Sequence, residues 1–333
     1  MFRPTKIKHY LRYMERLGFD AKRVLADTRI QHDMLDDPAY LIDTSQSQRV
    51  VSNMISLTGN DELGFDIGLD ANFDDFGIAG YALMCCRHLK DVFDTWAAFG
   101  PTLVGSHLTL QLEERGGGRW RVTFNESVPL GPLLRFCAEE TLSAGDWLSC
   151  TVIRDDIHYE SVEFAYPTPD NIERYERVFN APVIFDAPVT AVNVASPSLY
   201  QPCPDHRDTE FFNLCQSYCH EVMREITEGR PLSFKVRQIF LNSAGNLPNL
   251  ETTAELLHMS SRTFKRKLQQ EGVNFNELLS EFRCDLVKKY IESNKSLPLE
   301  KVALLTGYSD AKSLSRAFKN WTGQTVSDYR RTH

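Results

Sequence analysis

Two short segments of the 333-residue chain carry Lys, Arg, Ser, Thr and amide side chains at the spacing of a helix surface. Each segment also contains two apolar residues four apart, Phe264 and Leu268 or Leu314 and Phe318, which define an inward face. Arginine can pair bidentately with the O6 and N7 atoms of guanine, and lysine commonly anchors phosphate. The polar residues outside the inward face are therefore candidates for binding DNA: Arg262, Thr263, Lys265, Arg266, Gln269, Lys312, Ser313, Ser315, Arg316, Lys319 and Asn320.

A repeated pattern in the last hundred residues predicts the elements that would position these side chains. Residues 250–257 are echoed by residues 299–305, and each stretch is followed by a short turn and a basic second helix. A small residue in the first helix, a tight turn and a basic amphipathic second helix are what a helix-turn-helix requires. We therefore predict two such units, with the first recognition helix from about Ser261 to Gln270. Lys301, near the start of the second repeat, is a further candidate for anchoring phosphate.

The segment between the two repeats predicts a long connecting helix. Its apolar residues recur on one helical face: Phe275, Leu278, Leu279, Phe282, Leu286, Tyr290 and Ile291. Packing both units on this helix would hold them at a fixed separation. Adjacent major-groove segments on one side of a duplex lie one turn apart, about 34 Å. One chain is thus expected to contact two consecutive major-groove segments of an asymmetric site.

Charge is distributed unevenly along the chain, whose formal net charge is −8. Residues 232–333 hold 16 Lys and Arg against 10 Asp and Glu, a net charge of +6, whereas residues 1–231 hold 21 against 35, a net charge of −14. Such asymmetry indicates a nucleic-acid-binding end joined to another domain. The N-terminus shows no signal peptide, and the apolar run 77–86 is too short to span a bilayer. We expect a cytoplasmic protein without a membrane partner.

The N-terminal two-thirds of the chain predicts an α+β domain. Residues 1–60 and 131–150 have helical spacing, and the alternating stretches around Gly116, Gly117 and Gly118 predict a β-hairpin. Short strands are expected near 161–165, 183–185 and 191–194. The predicted organisation is an α+β regulatory domain followed by an all-α DNA-binding domain, with the boundaries 1–203, 204–231 for a helix and linker, and 232–333.

The C-terminal motifs resemble the DNA-binding region of the AraC family of bacterial transcription regulators. The resemblance covers about residues 232–331 and depends chiefly on Val302–Asp310, Leu314–Lys319 and Trp321–Gly323. Val326 departs from the family, which commonly has Pro there. Residues 1–200 resemble the regulatory domain of one AraC subgroup, described as arabinose-binding-like, through the segments 61–68, 77–83 and 179–186. The resemblance implies a homodimeric regulator of promoter DNA that responds to a small-molecule effector and more often activates, in concert with RNA polymerase.

Two further sets of residues have two interpretations each. Aromatic residues could line an effector pocket with one cation, although core packing explains them equally well: Phe76, Tyr81, Trp96, Phe99 and Arg121. A second set recurs at three- and four-residue spacing like a coiled-coil seam, and either contacts a dimer partner or packs on its own domain: Phe212, Cys215, Cys219, Val222 and Ile226.

The cysteines do not form a convincing metal or redox site. A group made of Cys203, His206, Cys215, Cys219 and His220 has workable ligand spacing at 215 and 219. That face is the apolar seam, however, and free cysteine is commonly a small buried residue. Redox sensing by Cys85 and Cys86 is disfavoured further, so no metal and no cofactor are predicted.

The chain shows no motif of a catalytic site, since GxSxG, HExxH, P-loop and Rossmann patterns are absent. The sequence therefore predicts a sequence-specific transcription regulator rather than an enzyme. The family resemblance favours an activator over a repressor. Two alternatives stay open. One is a ligand-independent repressor or architectural DNA-binding protein, and the more remote one is an enzyme domain fused to a helix-turn-helix.

Overall fold

The computed structural model describes residues 1–37, 40–203, 209–227, 231–243, 247–293 and 297–332. These residues form two compact units. The first unit comprises Met1–Asn125 and Leu133–Ile226, and the second comprises Glu126–Pro132 and Thr227–His333. His206 of the metal hypothesis, and residues 204–208 and 228–230 of the predicted helix and linker, lie outside the described residues.

The first unit combines helices with one mixed β-sheet. Its helices are α1 (Thr5–Arg16), α2 (Ala21–Val24), α3 (Thr44–Thr58), α4 (Leu63–Asp70), α5 (Gly77–Met84), α6 (Leu89–Phe99), α7 (Leu134–Ile153), α8 (Ile172–Phe179), α9 (Ser196–Leu199) and α10 (Thr209–Thr227). Its strands are β1 (Leu108–Gly116), β2 (Arg119–Glu126), β3 (Tyr159–Glu163), β4 (Val183–Ile184) and β5 (Thr190–Ala195). The α+β class predicted for this part of the chain is confirmed.

The sheet has the strand order β1-β2-β5-β3-β4, so the last long strand lies in the centre. β5 pairs antiparallel with both β2 and β3, and β3 pairs parallel with β4. Val122, Val192 and Val162 are partners across the three central strands and are all buried. The β1–β2 turn follows from its three consecutive glycines, which all have positive φ, a conformation that costs glycine little. The predicted hairpin is confirmed.

Helices α4 and α7 approach each other closely because α4 has glycine at two positions one turn apart. A Cβ atom on Gly64 would lie 2.6 Å from the carbonyl oxygen of Phe136, and one on Gly68 would lie 2.0 Å from Ser143 Oγ. This contact encloses the middle of α7, including Glu140. Lys6 Nζ of α1 lies 2.6 Å from the Glu140 carboxylate, and both side chains are almost fully buried.

Helix α10 packs on the first unit with the apolar stripe that the sequence singled out. Phe212, Cys215, Cys219, Val222 and Ile226 are each at most 8% exposed. Cys215 Sγ lies 3.6 Å from Cys85 Sγ, and Cys219 Sγ contacts the carbonyl oxygen of Ile78 at 3.7 Å. The structure therefore supports the interpretation that this stripe packs on the helix's own domain. The alternative, a dimer contact through the stripe, is corrected because these side chains are not available at the surface of the unit. The predicted linker segment 204–231 correspondingly belongs largely to the first unit.

The secondary structure of the second unit is helical from residue 232 onward among the described residues. Its helices are α11 (Leu232–Asn242), α12 (Leu250–Leu256), α13 (Ser261–Gln270), α14 (Phe275–Ser293), α15 (Leu299–Leu305), α16 (Ala311–Thr322) and α17 (Val326–Thr332). The first recognition helix, α13, has the predicted bounds. Val326, which departs from the family pattern, still begins α17, because the Thr325 hydroxyl accepts a hydrogen bond from the Asp328 N–H at 3.1 Å.

The connecting helix α14 contributes to two separate hydrophobic cores. Its first half supplies Phe275 and Leu278 to a core that also contains Phe264 and Leu268 of α13. Its second half supplies residues to another core, which also contains Leu314 and Phe318 of α16: Leu286, Val287, Tyr290 and Ile291. Phe282, between the halves, packs against both. The prediction of two helix-turn-helix units on one long helix is confirmed.

Candidate nucleic-acid interface and effector cavity

The turn of the first helix-turn-helix is fixed by one backbone bond and one cap. The Met259 N–H donates to the Ala254 carbonyl at 2.9 Å, while His258 takes a left-handed conformation with φ of 52°. Ser260 then caps α13, because its hydroxyl accepts a hydrogen bond from the Thr263 N–H at 3.3 Å. The small side chain of Ala254 is fully buried where α12 and α13 meet.

The second turn repeats this geometry with different residues. The Tyr308 N–H donates to the Ala303 carbonyl at 2.8 Å, and the left-handed residue is Gly307 with φ of 77°. Asp310 caps α16 by accepting a hydrogen bond from the Ser313 N–H at 2.7 Å. That backbone hydrogen bond, with those of the Ser309 and Ser313 hydroxyls, lowers the pKa of Asp310 below its ordinary value. The two repeats in the sequence are therefore two copies of one local structure.

The two recognition helices present unpaired cations to solvent. Of the residues predicted to bind DNA, those exposed on α13 are Arg262, Lys265, Arg266 and Gln269, and those exposed on α16 are Lys312, Arg316, Lys319 and Asn320. Lys301 on α15 is exposed as well. Within the described part of the chain, none of these Lys and Arg side chains lies within 4 Å of a carboxylate, whereas Arg237 of α11 pairs with Glu281 at 2.5 Å. Seven exposed charges thus have no ion-pair partner within 4 Å among the described residues and can meet phosphate or base edges.

The hydroxyl-bearing candidates are partly committed to their own helices. Thr263 accepts a hydrogen bond from the Ser260 hydroxyl at 3.0 Å, and the Ser313 hydroxyl donates to the Asp310 carboxylate at 3.0 Å. The Ser315 hydroxyl donates to the Ala311 carbonyl at 2.8 Å. All three are half-buried, so the exposed Arg and Lys side chains are better placed than these hydroxyls to reach DNA.

The first unit contains an apolar cavity between its helices and the sheet. Its volume is about 40 Å³. On the same scale a cavity that holds one water molecule has a volume of roughly 10–15 Å³. The wall is formed by Phe73, Phe76, Leu83, Val92, Phe93, Trp96, Leu110, Phe124, Thr141, Leu142, Ala144, Gly145, Asp146, Leu148, Ser149, Val152, Tyr159, Phe179 and Val192. We call this site the effector cavity, after the effector pocket that the sequence predicts; that it binds an effector is a proposal. Of the predicted effector residues, it contains Phe76 and Trp96.

The other three predicted effector residues lie elsewhere. Tyr81 is 51% exposed on α5, and Phe99 is fully buried against the ring of His220. Arg121 projects from β2 and pairs with both carboxylate oxygens of Glu163 at 2.6 Å across the sheet. Hydrogen bonding between the two raises the pKa of Arg121 and lowers that of Glu163. None of these three lines the cavity, so their predicted effector role stays a prediction that the cavity does not support.

Asp146 is a cavity residue that the sequence interpretation missed. It lies on α7, and its carboxylate accepts a hydrogen bond from the Tyr159 hydroxyl. Burial raises the pKa of Asp146 to about 6, and repulsion from Asp156 acts in the same direction. A signal was present in the sequence, because Asp146 is the one charged residue between Glu140 and Arg154.

The cysteine groups have the character of buried apolar residues. Burial raises the pKa of Cys219 to about 12 and raises that of Cys86 still further, which opposes formation of a reactive thiolate. Among the described residues, no three or more His, Cys, Asp or Glu side chains are arranged to hold a metal ion. In the same part of the chain, no helix is both long and apolar enough to cross a bilayer.

Comparisons with known proteins match both units. Residues 18–203 match the family model described as the arabinose-binding domain of AraC transcription regulator, N-terminal, and residues 253–332 match a helix-turn-helix domain model. The chain is 28% identical to the ornithine utilization regulator of Pseudomonas aeruginosa over 314 residues, which cover 94% of this chain and 91% of the relative.

Two further proteins of Pseudomonas aeruginosa are similar along most of their length. The transcriptional regulator VqsM is 23% identical over 303 residues, covering 86% of this chain and 89% of the relative. The crystal structure of the transcriptional regulator CdpR aligns with a TM-score of 0.45 and 20% identity, covering 91% of this chain and 99% of that one.

Proposed function

The chain belongs to the AraC family of transcription regulators, and from that premise we propose that its two recognition helices contact consecutive major-groove segments of one asymmetric promoter site. The protein is a DNA-binding transcription regulator rather than an enzyme, as its family and relatives are. The observation that carries the proposal is the pair of capped helices, α13 and α16, packed on the single connecting helix α14 with their cations exposed.

Within this interface the residues have different proposed roles. Arg262 and Arg316 are the side chains proposed for bidentate contacts with guanine, because both lie in the first half of a recognition helix. Five further cations are proposed to anchor phosphate: Lys265, Arg266, Lys301, Lys312 and Lys319. Gln269 and Asn320 are proposed as polar contacts within the same grooves, and Thr263, Ser313 and Ser315 as secondary ones.

The test is a footprint on a duplex that the protein protects, with variants of matched charge. Arg262→Ala and Arg316→Ala should each weaken binding by about 5- to 150-fold and relax the preference at one base pair. Arg237→Ala removes the same charge from α11, where Glu281 already neutralises it, and should leave the footprint unchanged. Equal protection of unrelated duplexes by all four proteins would instead indicate an architectural DNA-binding protein.

We further propose that a small molecule binds in the effector cavity and changes how the DNA-binding unit is presented. A ligand can shift such an equilibrium only through its different affinity for the two states. The support is the cavity itself, which lies wholly inside the first unit and is lined by Phe76 and Trp96. Activation through RNA polymerase is the mode that the family resemblance favours, and transcription in vitro with and without the protein distinguishes it from repression.

A homodimer is proposed to form through the outward face of α10 instead of the buried stripe. Phe211, Leu214 and Tyr218 lie on one side of this helix and are 44%, 63% and 51% exposed. Leu214→Asp should shift the protein towards monomer in sedimentation velocity, because a charge would enter an apolar contact. Asn213→Asp introduces a carboxylate on the exposed polar side of the same helix and serves as the control. A dimer that survives Leu214→Asp would place the contact elsewhere.

A further inference from the structure

The wall of the effector cavity carries one ionisable carboxylate and no counter-charge. Among the described residues that line the cavity, none is Lys, Arg or His. The remaining wall is aromatic and aliphatic, except for the hydroxyls of Thr141, Ser149 and Tyr159 and the indole N–H of Trp96, which is buried without a hydrogen-bond partner among the described residues. A charged group on an otherwise apolar wall is a specific feature, because apolar pockets depend on a few polar groups to orient and select their ligands.

Several groups act on the Asp146 carboxylate, and none of them is a cation. Tyr159 of β3 donates a hydrogen bond, while Asp156, after the end of α7, repels the negative charge. Cys150, one turn further along α7, contacts the carboxylate at 4.0 Å. With a pKa of about 6, the carboxyl group is mostly ionised at neutral pH although it is partly removed from water. A carboxylate that is partly removed from water and has no cationic partner raises the free energy of the folded protein, and a bound cation would offset this cost.

We propose that the effector cavity binds a small primary amine in its ammonium form, with the ammonium group on the Asp146 carboxylate and the hydrocarbon part against the aromatic wall. The assignment depends on the proposed function, in which the first unit holds the effector. The wall also contains the rings of Phe73, Phe76, Phe93 and Trp96, which suits a cationic ligand because a cation is drawn to the face of an aromatic ring.

The size and charge of the cavity narrow the ligand class. Its volume of about 40 Å³ corresponds to roughly three water molecules, which suits a short, unbranched chain better than a sugar. A carboxylic acid would bring a second negative charge close to Asp146. An amino acid would place its own carboxylate where the described wall provides no cation. The cavity thus favours a simple alkylamine over these classes.

The experiment compares three ligands of nearly equal size on the full-length protein at pH 7.5. Isothermal titration calorimetry at millimolar concentrations of n-propylamine, 1-propanol and propionate isolates the charge of the head group. The amine should bind at least about tenfold more tightly than the alcohol, since hydrogen bonds between charged groups exceed neutral ones, and propionate should bind weakest. Asp146→Asn should reduce the preference for the amine to within about threefold. Asp156→Asn, which removes an exposed carboxylate near the cavity, should preserve it.

Several outcomes measured on the unaltered protein alone would overturn the inference. Equal binding of the amine and the alcohol, tighter binding of propionate, or no binding of any of the three would each do so. A preference for the amine that persists in Asp146→Asn would also overturn it. A separate measurement of DNA affinity with and without n-propylamine then tests the proposed function. Amine binding that depends on Asp146 but leaves DNA affinity unchanged confirms the site and contradicts its regulatory role, whereas sequence-specific DNA binding without any amine binding contradicts the site alone.

Discussion

The salt dependence of DNA binding follows directly from the unpaired cations on the second unit. Seven predicted DNA-binding Lys and Arg side chains are exposed and have no carboxylate within 4 Å among the described residues; two are proposed for bases and five for phosphate. Each phosphate neutralised contributes about −0.9 to the slope of log K against log salt, so five contacts predict about −4.5 per chain bound. Raising salt from about 50 to 200 mM should then weaken binding by about 500-fold.

A single variant tests the assignment of those charges. Lys319→Ala should make the slope about 0.9 shallower, because one counterion fewer is released when the protein binds. Arg237→Ala carries the same change of charge but removes a cation already paired with Glu281, so its slope should stay close to that of the unaltered protein. The assay is fluorescence anisotropy of a labelled duplex, titrated at several concentrations of potassium chloride. A slope flatter than about −2 per chain, or equal effects of the two variants, would refute the electrostatic reasoning.

Three further predictions concern stability. Lys6→Met should lower the free energy of unfolding in urea by about 3–5 kcal/mol because it leaves the Glu140 charge buried and unpaired. The double variant Lys6→Met/Glu140→Leu should lose less stability than Lys6→Met alone, and additive losses would contradict a coupled buried pair. Gly307→Ala should reduce hydrogen-exchange protection of α16 by about 1–2 kcal/mol, because a residue with a Cβ is strained in the left-handed conformation. His258→Gly should not reduce protection of α13, and equal losses at the two left-handed positions would argue against the turn geometry. Asp146 has a pKa of about 6 in the folded protein, above the ordinary value of 3.8, so its ionisation lowers stability as pH rises from about 4 to 6. Asp146→Asn should therefore raise the melting temperature at pH 8 but not at pH 4. A gain of equal size at both pH values would contradict that linkage.

The second unit was the part most open to prediction from sequence, because its repeats specify local structure. The bounds of α13 follow from Ser260 as a cap and from the spacing of Phe264 and Leu268, and all these signals lie within ten residues. The same holds for the hairpin turn at Gly116–Gly118, where the chain must take positive φ three times in succession. Local hydrogen bonds and helical periodicity determine such elements, so one sequence suffices to find them.

The effector cavity was less predictable because distant segments of the chain form it. Periodicity showed that α10 has an apolar face but could not show that this face meets Cys85 and Ile78, more than a hundred residues earlier. The sequence predicts Arg121 as a pocket cation, yet its partner Glu163 is 42 residues away on another strand. The sequence does not single out Asp146, because its place in the cavity wall depends on the sheet and helices that close around it.

Genome-wide footprinting in the host tests the central claim of a sequence-specific regulator most directly. The unaltered protein should protect a few asymmetric sites of about 17–20 bp upstream of one group of genes, as two adjacent major-groove contacts require. The double variant Arg262→Ala/Arg316→Ala should lose those sites, and Arg237→Ala should retain them. Diffuse occupancy, or sites that persist in the double variant, would contradict the claim that α13 and α16 specify the target sequence.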